Sequence, residues 1–275
     1  RAINISGNDE VLEIIEKEFI IDERGGIKDP IGLTGVRLQA KVLLLCYFQQ
    51  YFYNLTQAAQ AARLKTSYIV ASPMAAARAV LTPQQMDLGV AVIDIGHETT
   101  SLAVFEDGGL THLAVFPIGS LSITKDIAIG LKTEMAVAED IKKQYGSCIY
   151  GKKDSSSKDL SKKKIEIFEK SDSLSFNKKE LVDIIEPRVS EILDLAQKEL
   201  KSIGKHKMLP AGVVLTGGGA KMAGIKELAK DILELNCTIG GPKGIDGIQN
   251  DPALATVAGL PLEGRDIEKE SHIMG

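Results

Sequence analysis

Apolar and polar residues follow different periods along the chain, and each period predicts an element. Val36, Leu38, Ala40, Val42 and Leu44 recur at every second position, the mark of a strand with one covered face. Just upstream, Val11 to Ile21 fits helix and strand periods alike. It ends in Asp22-Glu23-Arg24-Gly25-Gly26, whose charges and two permissive glycines mark a turn. Asn54 to Arg63, rich in alanine and glutamine, predicts a helix. Tyr68-Ile69-Val70 predicts a short buried strand, and Pro73 opens an alanine-rich helix that ends near Leu81. Val90 to Gly96 is an apolar run broken by Asp94; Ser101 to Glu106 and Leu110 to Ile118 follow after Thr99-Thr100 and Asp107-Gly108-Gly109, so the three read as a meander. Helical spacing resumes at Ile123, breaks near Lys132-Thr133 and continues through Glu139 to Tyr145.

Between Gly146 and Lys179 order is weakest: a lysine- and serine-rich stretch precedes Ile165-Glu166-Ile167-Phe168, which reads as part of an exposed hairpin or loop. Leu181, Ile184, Ile185, Val189, Ile192, Leu193 and Leu200 then lie on helical spacing, predicting a long amphipathic helix over Lys179 to Lys201. Pro187 falls inside it and predicts a restart or a kink, because proline lacks the backbone donor. Gly212 to Thr216 is a buried strand leading into Gly217-Gly218-Gly219, with a helix expected from about Lys221 to Leu235. A strand, a glycine turn and a helix in that order present backbone N–H groups to an anion. Pro252 to Leu260 predicts a closing helix, and no internal repeat is visible.

The 275 residues suit one large domain or two smaller ones. With 44% hydrophobic and 25% charged residues the chain belongs among folded globular proteins. A net charge of -4 excludes a global positive field for nucleic acid or an anionic membrane. Cys46, Cys148 and Cys237 are far apart and form no CxxC pair, which argues against a disulfide framework or a zinc site and for a reducing cytoplasm. The longest apolar run, Val42 to Phe48, falls short of the ~20 residues that cross a bilayer. The chain begins with Arg1 instead of Met, which suggests a start further upstream.

Three motifs carry candidate chemistry. In Asp94-Ile95-Gly96-His97-Glu98-Thr99-Thr100 a carboxylate at a hairpin can hold the water shell of magnesium while small residues and hydroxyls approach phosphate; taken by itself, an ordinary hairpin with a capping aspartate is the plain reading. Leu215-Thr216-Gly217-Gly218-Gly219-Ala220 lacks both the G-x-G-x-x-G spacing and the Gly-Lys-Ser/Thr of a P-loop, leaving a ligand loop or a plain tight turn. Glu139 and Lys142 share a helix face, where a surface ion pair is the plain reading.

In this order the three motifs resemble the second half of the actin-like ATPase superfamily, in which two α/β lobes of ribonuclease H-like type close over a nucleotide. Asp29-Pro30-Ile31-Gly32-Leu33-Thr34-Gly35-Val36-Arg37-Leu38, Ile127-Ala128-Ile129-Gly130-Leu131, Ile185-Glu186-Pro187-Arg188 and Ala255-Thr256-Val257-Ala258-Gly259-Leu260 are similar to the bacterial cell-division FtsA family. The likeness runs from about Val11 to Gly264. It implies a small inserted α/β module, subdomain 1C, over residues 1–66, and a remnant of the first lobe over 67–86. The second lobe would span 87–132 and 210–262, a smaller subdomain 2B 133–209, and a tail 263–275.

The resemblance also implies site roles. Asp94, Gly96, Thr99 and Thr100 would face phosphate and Mg2+, with Asp94 toward the metal. Glu139 and Lys142 would face the ribose, and Gly217, Gly218 and Gly219 the adenosine side of ATP. Arg188 matches the family's basic contact for the acidic C-terminal tail of FtsZ, a carboxylate partner that a guanidinium fork suits better than lysine would. Self-association into filaments with ATP as the state ligand, contacts with later division proteins through subdomain 1C, and a cytoplasmic place at the inner membrane face of the division site follow from the same likeness.

Departures from the family pattern shape the expectation. The family has two Asp-Ile-Gly hairpins and this sequence contains the second, so the other is expected before Arg1. His97 and Glu98 stand where the family has glycines, and Ser72 stands where a glutamine or glutamate positions water, so at most weak ATPase activity is expected. The family's basic amphipathic membrane helix has no match in Gly264 to Gly275, which is acidic; the anchor lies beyond, or a partner supplies it. The lysine-rich Gly151 to Lys164 reads as a solvated loop. Two rivals stay open: a PilM-type pilus-assembly protein that binds a partner peptide, and a small-molecule kinase of the superfamily.

Overall fold

Val11 to Ile21, ambiguous by period, belongs to a strand, β1 (Asp9–Ile21), paired antiparallel with β2 (Arg24–Ile27) and β3 (Leu38–Phe48) in the order β2-β1-β3. Bulges at Val11/Glu13 and Glu16/Glu18 each insert a residue and reverse the in–out alternation, which is why period two is obscured there. The computed structural model describes residues 7–149, 164–169, 172–245, 247, 248 and 250–273, so most of the lysine-rich segment lies outside the described residues. They divide into two units, one reaching to Ile69 and including Gly109–His112, the other holding the remainder.

In the first unit Asp22 and Glu23 turn the chain with φ of 47° and 72°, and the Asp22 carboxylate accepts from the amides of Val36 at 3.0 Å and Arg37 at 2.8 Å. Helix α1 (Gln49–Ala61) follows β3 directly. Tyr68-Ile69-Val70 is a correction: it forms no strand. Tyr68 is exposed, and the segment is paired with none of the described strands.

The second unit opens with α2 (Ser72–Val80) and α3 (Pro83–Leu88), the latter begun by a Thr82/Gln85 capping box. Strands β4 (Val90–Ile95), β5 (Thr100–Glu106) and β6 (Gly109–Phe116) form the expected meander. After it come α4 (Ser120–Leu131), α5 (Met135–Tyr145), the hairpin β7 (Lys164–Glu169) and β8 (Asp172–Asn177), and the single helix α6 (Lys178–Ser202), in which Pro187 lies on the exposed face. Strand β9 (Val213–Thr216), helix α7 (Ile225–Leu233), β10 (Cys237–Ile239) and α8 (Ala255–Ile273) complete the order. The main sheet runs β10-β9-β4-β5-β6, with β4 antiparallel to β5 and parallel to β9.

Strand β4 is covered on both faces, as its unbroken apolar run requires. Ile93, Ile95 and Leu215 of the sheet share a core with Ile123 and Ile127 of α4, Ile141 of α5, and Ile185 and Ile192 of α6. The helix expected from Lys221 begins instead at Ile225. Gly218–Lys221 is a 3-10 turn, and Gly224 at φ 81° precedes the α-helix, so positive φ delays it. Helix α8 continues into the stretch read as a tail. It lies along α2, where a Cβ on Gly259 would fall on the Ala75 carbonyl, and Arg78 donates to Asp266 at 2.6 Å. The three cysteines are free, with Cys148 and Cys237 buried.

Candidate functional site

Strands β4 and β9 lie side by side and parallel, with Asp94 in register with Thr216, so the turns that follow them leave the sheet at the same end. Ligands of α/β sheets settle at such carboxyl ends. After β4 the chain turns at Gly96-His97-Glu98-Thr99, closed by the Gly96 amide donating to the Thr99 carbonyl at 2.9 Å. After β9 it turns at Gly217-Gly218-Gly219. Gly217 has φ 83°, and a Cβ there would lie 2.5 Å from the Ile95 carbonyl and on top of Asp94 Oδ1. A Cβ on Gly219 would meet the Ile95 carbonyl at 3.0 Å. These two glycines therefore let the turns touch. Gly218 is exposed with open space at its Cβ position, so it alone is sterically free.

Asp94 is walled in on a second side by Thr256 in the first turn of α8, whose hydroxyl donates to Oδ2 at 3.2 Å. Burial pushes the Asp94 pKa up, against the opposing Thr256 hydrogen bond. The amide of Gly217 donates to the Pro252 carbonyl at 3.0 Å and the Thr216 hydroxyl to the Gly240 carbonyl at 2.9 Å, fixing β9's end to the 3-10 turn that precedes α8 and to the residue after β10. At the rim, Lys221 pairs with Asp251 at 2.9 Å.

The inner side of the hairpin is spent on α4. Ser120 and Leu121 donate to the carbonyls of Gly96 at 2.9 Å and His97 at 2.7 Å, satisfying two otherwise orphan amides of the helix start. Its outer side leaves His97, Glu98 and Thr99 exposed. Beneath α4, Lys142 is buried and its three donors are filled by Ser120 O at 3.1 Å, Thr124 Oγ1 at 2.8 Å and Glu139 Oε2 at 2.7 Å. Desolvation of Glu139 is outweighed by hydrogen bonds from Lys142 and Thr124, which bring its pKa down to about 2. Lys143 adds a contact at 3.2 Å.

The sequence-derived site residues thus fall into three groups. Asp94, Gly96, Thr99, Gly217, Gly218 and Gly219 come together at one end of the sheet, and Glu139 joins them through Thr124 and Ser120. Thr100 and Lys142 turn inward: the Thr100 hydroxyl is buried and donates to Ile118 at 2.8 Å, and a buried ammonium has no donor left for an outside ligand. The surface ion pair read for Glu139 and Lys142 is on the lysine side a buried one. Arg188 stands apart on α6, and its guanidinium fork, read as open to a partner, is held by Asp126 of α4 at 2.6 and 3.0 Å. Thr124, Thr256 and Asp126 were missed. Thr124 shares the helix face of Ile127 and Leu131, and a hydroxyl on an apolar face signals a buried partner. Among the described residues no three His, Cys, Asp or Glu side chains gather around a metal position, and Asp94 is the carboxylate at the junction of the two turns.

A mixed sheet with these paired turns at its parallel end is an actin-like fold, as comparison with solved structures shows. MreB5 of Spiroplasma citri bound to ADP superimposes with a TM-score of 0.67 at 19% identity, covering 82% of this chain and 68% of that one. The PilM-PilN type IV pilus biogenesis complex gives 0.67 at 18% identity, covering 95% and 68%. Sequence comparison is more specific. The family model for cell division protein FtsA matches residues 91–259, and that for the SHS2 domain inserted in FTSA matches residues 1–46. Cell division protein FtsA of Bacillus subtilis is 38% identical over 265 residues, covering 94% of this chain and 58% of that protein. The FtsA of Pseudomonas aeruginosa is 33% identical over 277 residues, covering 100% and 65%. The chain belongs to the FtsA family, and the pilus-assembly and kinase readings give way. It spans less than two thirds of the length of either relative.

Proposed function

We propose that this chain is the part of a cell-division scaffold that binds nucleotide and the acidic tail of FtsZ, working at the cytoplasmic face of the membrane at the division site. The observation that carries the reading is the meeting of the Asp94 turn with the Gly217–Gly219 turn at the parallel end of β4 and β9, in a chain of the FtsA family. ATP fits there by the chemistry of the lining. Asp94 would hold Mg2+ through its water shell, as suits a single carboxylate, and Thr99 and the exposed hairpin would meet phosphate. Gly218, the one turn glycine with open space, would lie toward the adenosine. Glu139 would accept from ribose hydroxyls, held in place by the buried Lys142. Bound magnesium would neutralise the phosphate charge beside Glu98.

In this reading the nucleotide sets the assembly state of filaments and its hydrolysis is weak at most, consistent with Ser72 at the start of α2. Residues 1–66 act as subdomain 1C toward later division proteins, and residues 133–209 act as subdomain 2B, with Arg188 meeting the FtsZ tail. Membrane attachment comes through a C-terminal helix or a partner; no described helix is long and apolar enough to cross a membrane. Calorimetric titration with an FtsZ tail peptide tests the partner half. Arg188→Glu is expected to weaken binding by about 1.5 to 3 kcal/mol, the range of a charge-assisted contact. Equal affinity in the variant would refute the site.

A further inference from the structure

Arg188 is already occupied by a carboxylate of its own chain. Its Nε donates to Asp126 Oδ2 at 2.6 Å and its Nη2 to Oδ1 at 3.0 Å, a two-pronged fork, while Glu191 takes Nη1. The two helices that carry the pair are packed closely beside it. Helices α4 and α6 run antiparallel here, and one turn from the pair Gly130 lies so near Ile184 that a Cβ would meet Ile184 Cγ1 at 3.1 Å. The pair nevertheless remains reachable: the Arg188 and Asp126 side chains are 29% and 26% exposed, so an incoming carboxylate can approach without opening the core.

Resting on the reading of Arg188 as the contact for an acidic tail, we propose that Asp126 is an internal competitor that fills the fork until an acidic peptide displaces it. Binding is then an exchange of one carboxylate for another, with Asp126 released to water. Two consequences follow from the chemistry. A guanidinium held in its forked orientation is ready for a bidentate ligand and loses little freedom on binding. A single stray anion gains nothing over Asp126, so a peptide must add further contacts to win, which is selectivity by competition. The self-occupied state also lowers apparent affinity by the fraction of molecules in which the fork is free.

The test titrates a synthetic peptide of the acidic FtsZ tail into the whole chain and into Asp126→Asn, Asp126→Ala and Arg188→Ala, each checked by thermal melting. The two Asp126 variants differ in volume and share only the loss of the carboxylate. Both are expected to bind about two- to fivefold more tightly than the parent, the scale of removing one partly exposed ion pair. Arg188→Ala is expected to bind more weakly. If Arg188→Ala binds like the parent, the partner site lies elsewhere and the reading of Arg188 falls. If Arg188→Ala binds weakly but neither Asp126 variant gains affinity, only the competitor is overturned. Loss of the folded state in both Asp126 variants would make the pair structural cement and overturn it as well.

Discussion

Gly217 lies against Asp94 so closely that no side chain fits between them: its Cβ position falls on Asp94 Oδ1 and 2.5 Å from the Ile95 carbonyl. Gly217 also holds φ 83° and ψ 170°, a region almost closed to other residues. Gly217→Ala is therefore expected to cost about 2 to 5 kcal/mol in urea unfolding, combining overpacking and backbone strain. It should also weaken nucleotide binding, because relief requires the two turns to part. Gly218→Ala, one residue on and facing open space, should stay within about 0.5 kcal/mol. Equal effects at the two positions would refute the packing described.

The Glu139–Lys142 pair predicts a pH dependence. The native pKa of Glu139 is about 2, below its ordinary value of 4.5, so folding favours the ionised form. Its contribution is fully present above about pH 4.5 and is lost as pH falls toward about 2. Glu139 keeps 27% of its side-chain surface in water, which discounts the gain to about 1 to 3 kcal/mol. Glu139→Gln should lose that much at pH 7, and its unfolding free energy should approach the parent's as pH falls through this window. A gap unchanged from pH 7 to pH 2.5 would show that the carboxylate charge contributes nothing.

What was legible in the sequence depended on how local the cause was. Strand β4 announced itself because a strand covered on both faces must be apolar throughout, and the break between α4 and α5 because Lys132 takes a left-handed conformation, φ 54°. Strand β1 was half legible, since its bulges scramble the period that a regular pairing would preserve. Tyr68-Ile69-Val70 misled because three apolar residues describe a strand only when a neighbour exists to pair with it, and pairing is not a local property. At the site, Asp94 and the three glycines were readable as residue types at turns. Thr256 and Asp126 were not, because each matters through a partner 162 or 62 positions away.

The crossing of α2 and α8 rests on Gly259, whose Cβ position falls on the carbonyl of Ala75. With backbone against backbone, the smallest added group must push the helices apart and strain the nearby Arg78–Asp266 pair at 2.6 Å. Gly259→Ala should destabilise by about 1 to 3 kcal/mol despite alanine's better helix propensity, which by itself favours the variant by about 1 kcal/mol. Thermal unfolding separates the two effects by sign. A raised melting temperature would show that the helices do not touch at this point.

In the proposed nucleotide site Asp94 would set function against stability. Burial raises its native pKa above the ordinary 3.8, so the native state prefers the protonated form more than the unfolded chain does. The contribution of a proton on Asp94 is therefore full below about pH 3.8 and lost as pH rises through the native pKa, leaving a desolvated carboxylate that costs stability at pH 7. Asp94→Asn removes that charge while keeping volume and an acceptor for the Thr256 hydroxyl. It is expected to stabilise the chain at pH 7 by about 0.5 to 2 kcal/mol, as removal of a functional strain does elsewhere, with the gain vanishing near pH 3.5. The same substitution should weaken magnesium-dependent ATP binding at least about tenfold, since asparagine cannot anchor the cation's water shell as a carboxylate does. Urea titrations at the two pH values and calorimetry with and without magnesium read both effects. An Asn variant less stable than the parent at pH 7 would mean that the ionised carboxylate is held by favourable partners and is structural, not poised for a metal.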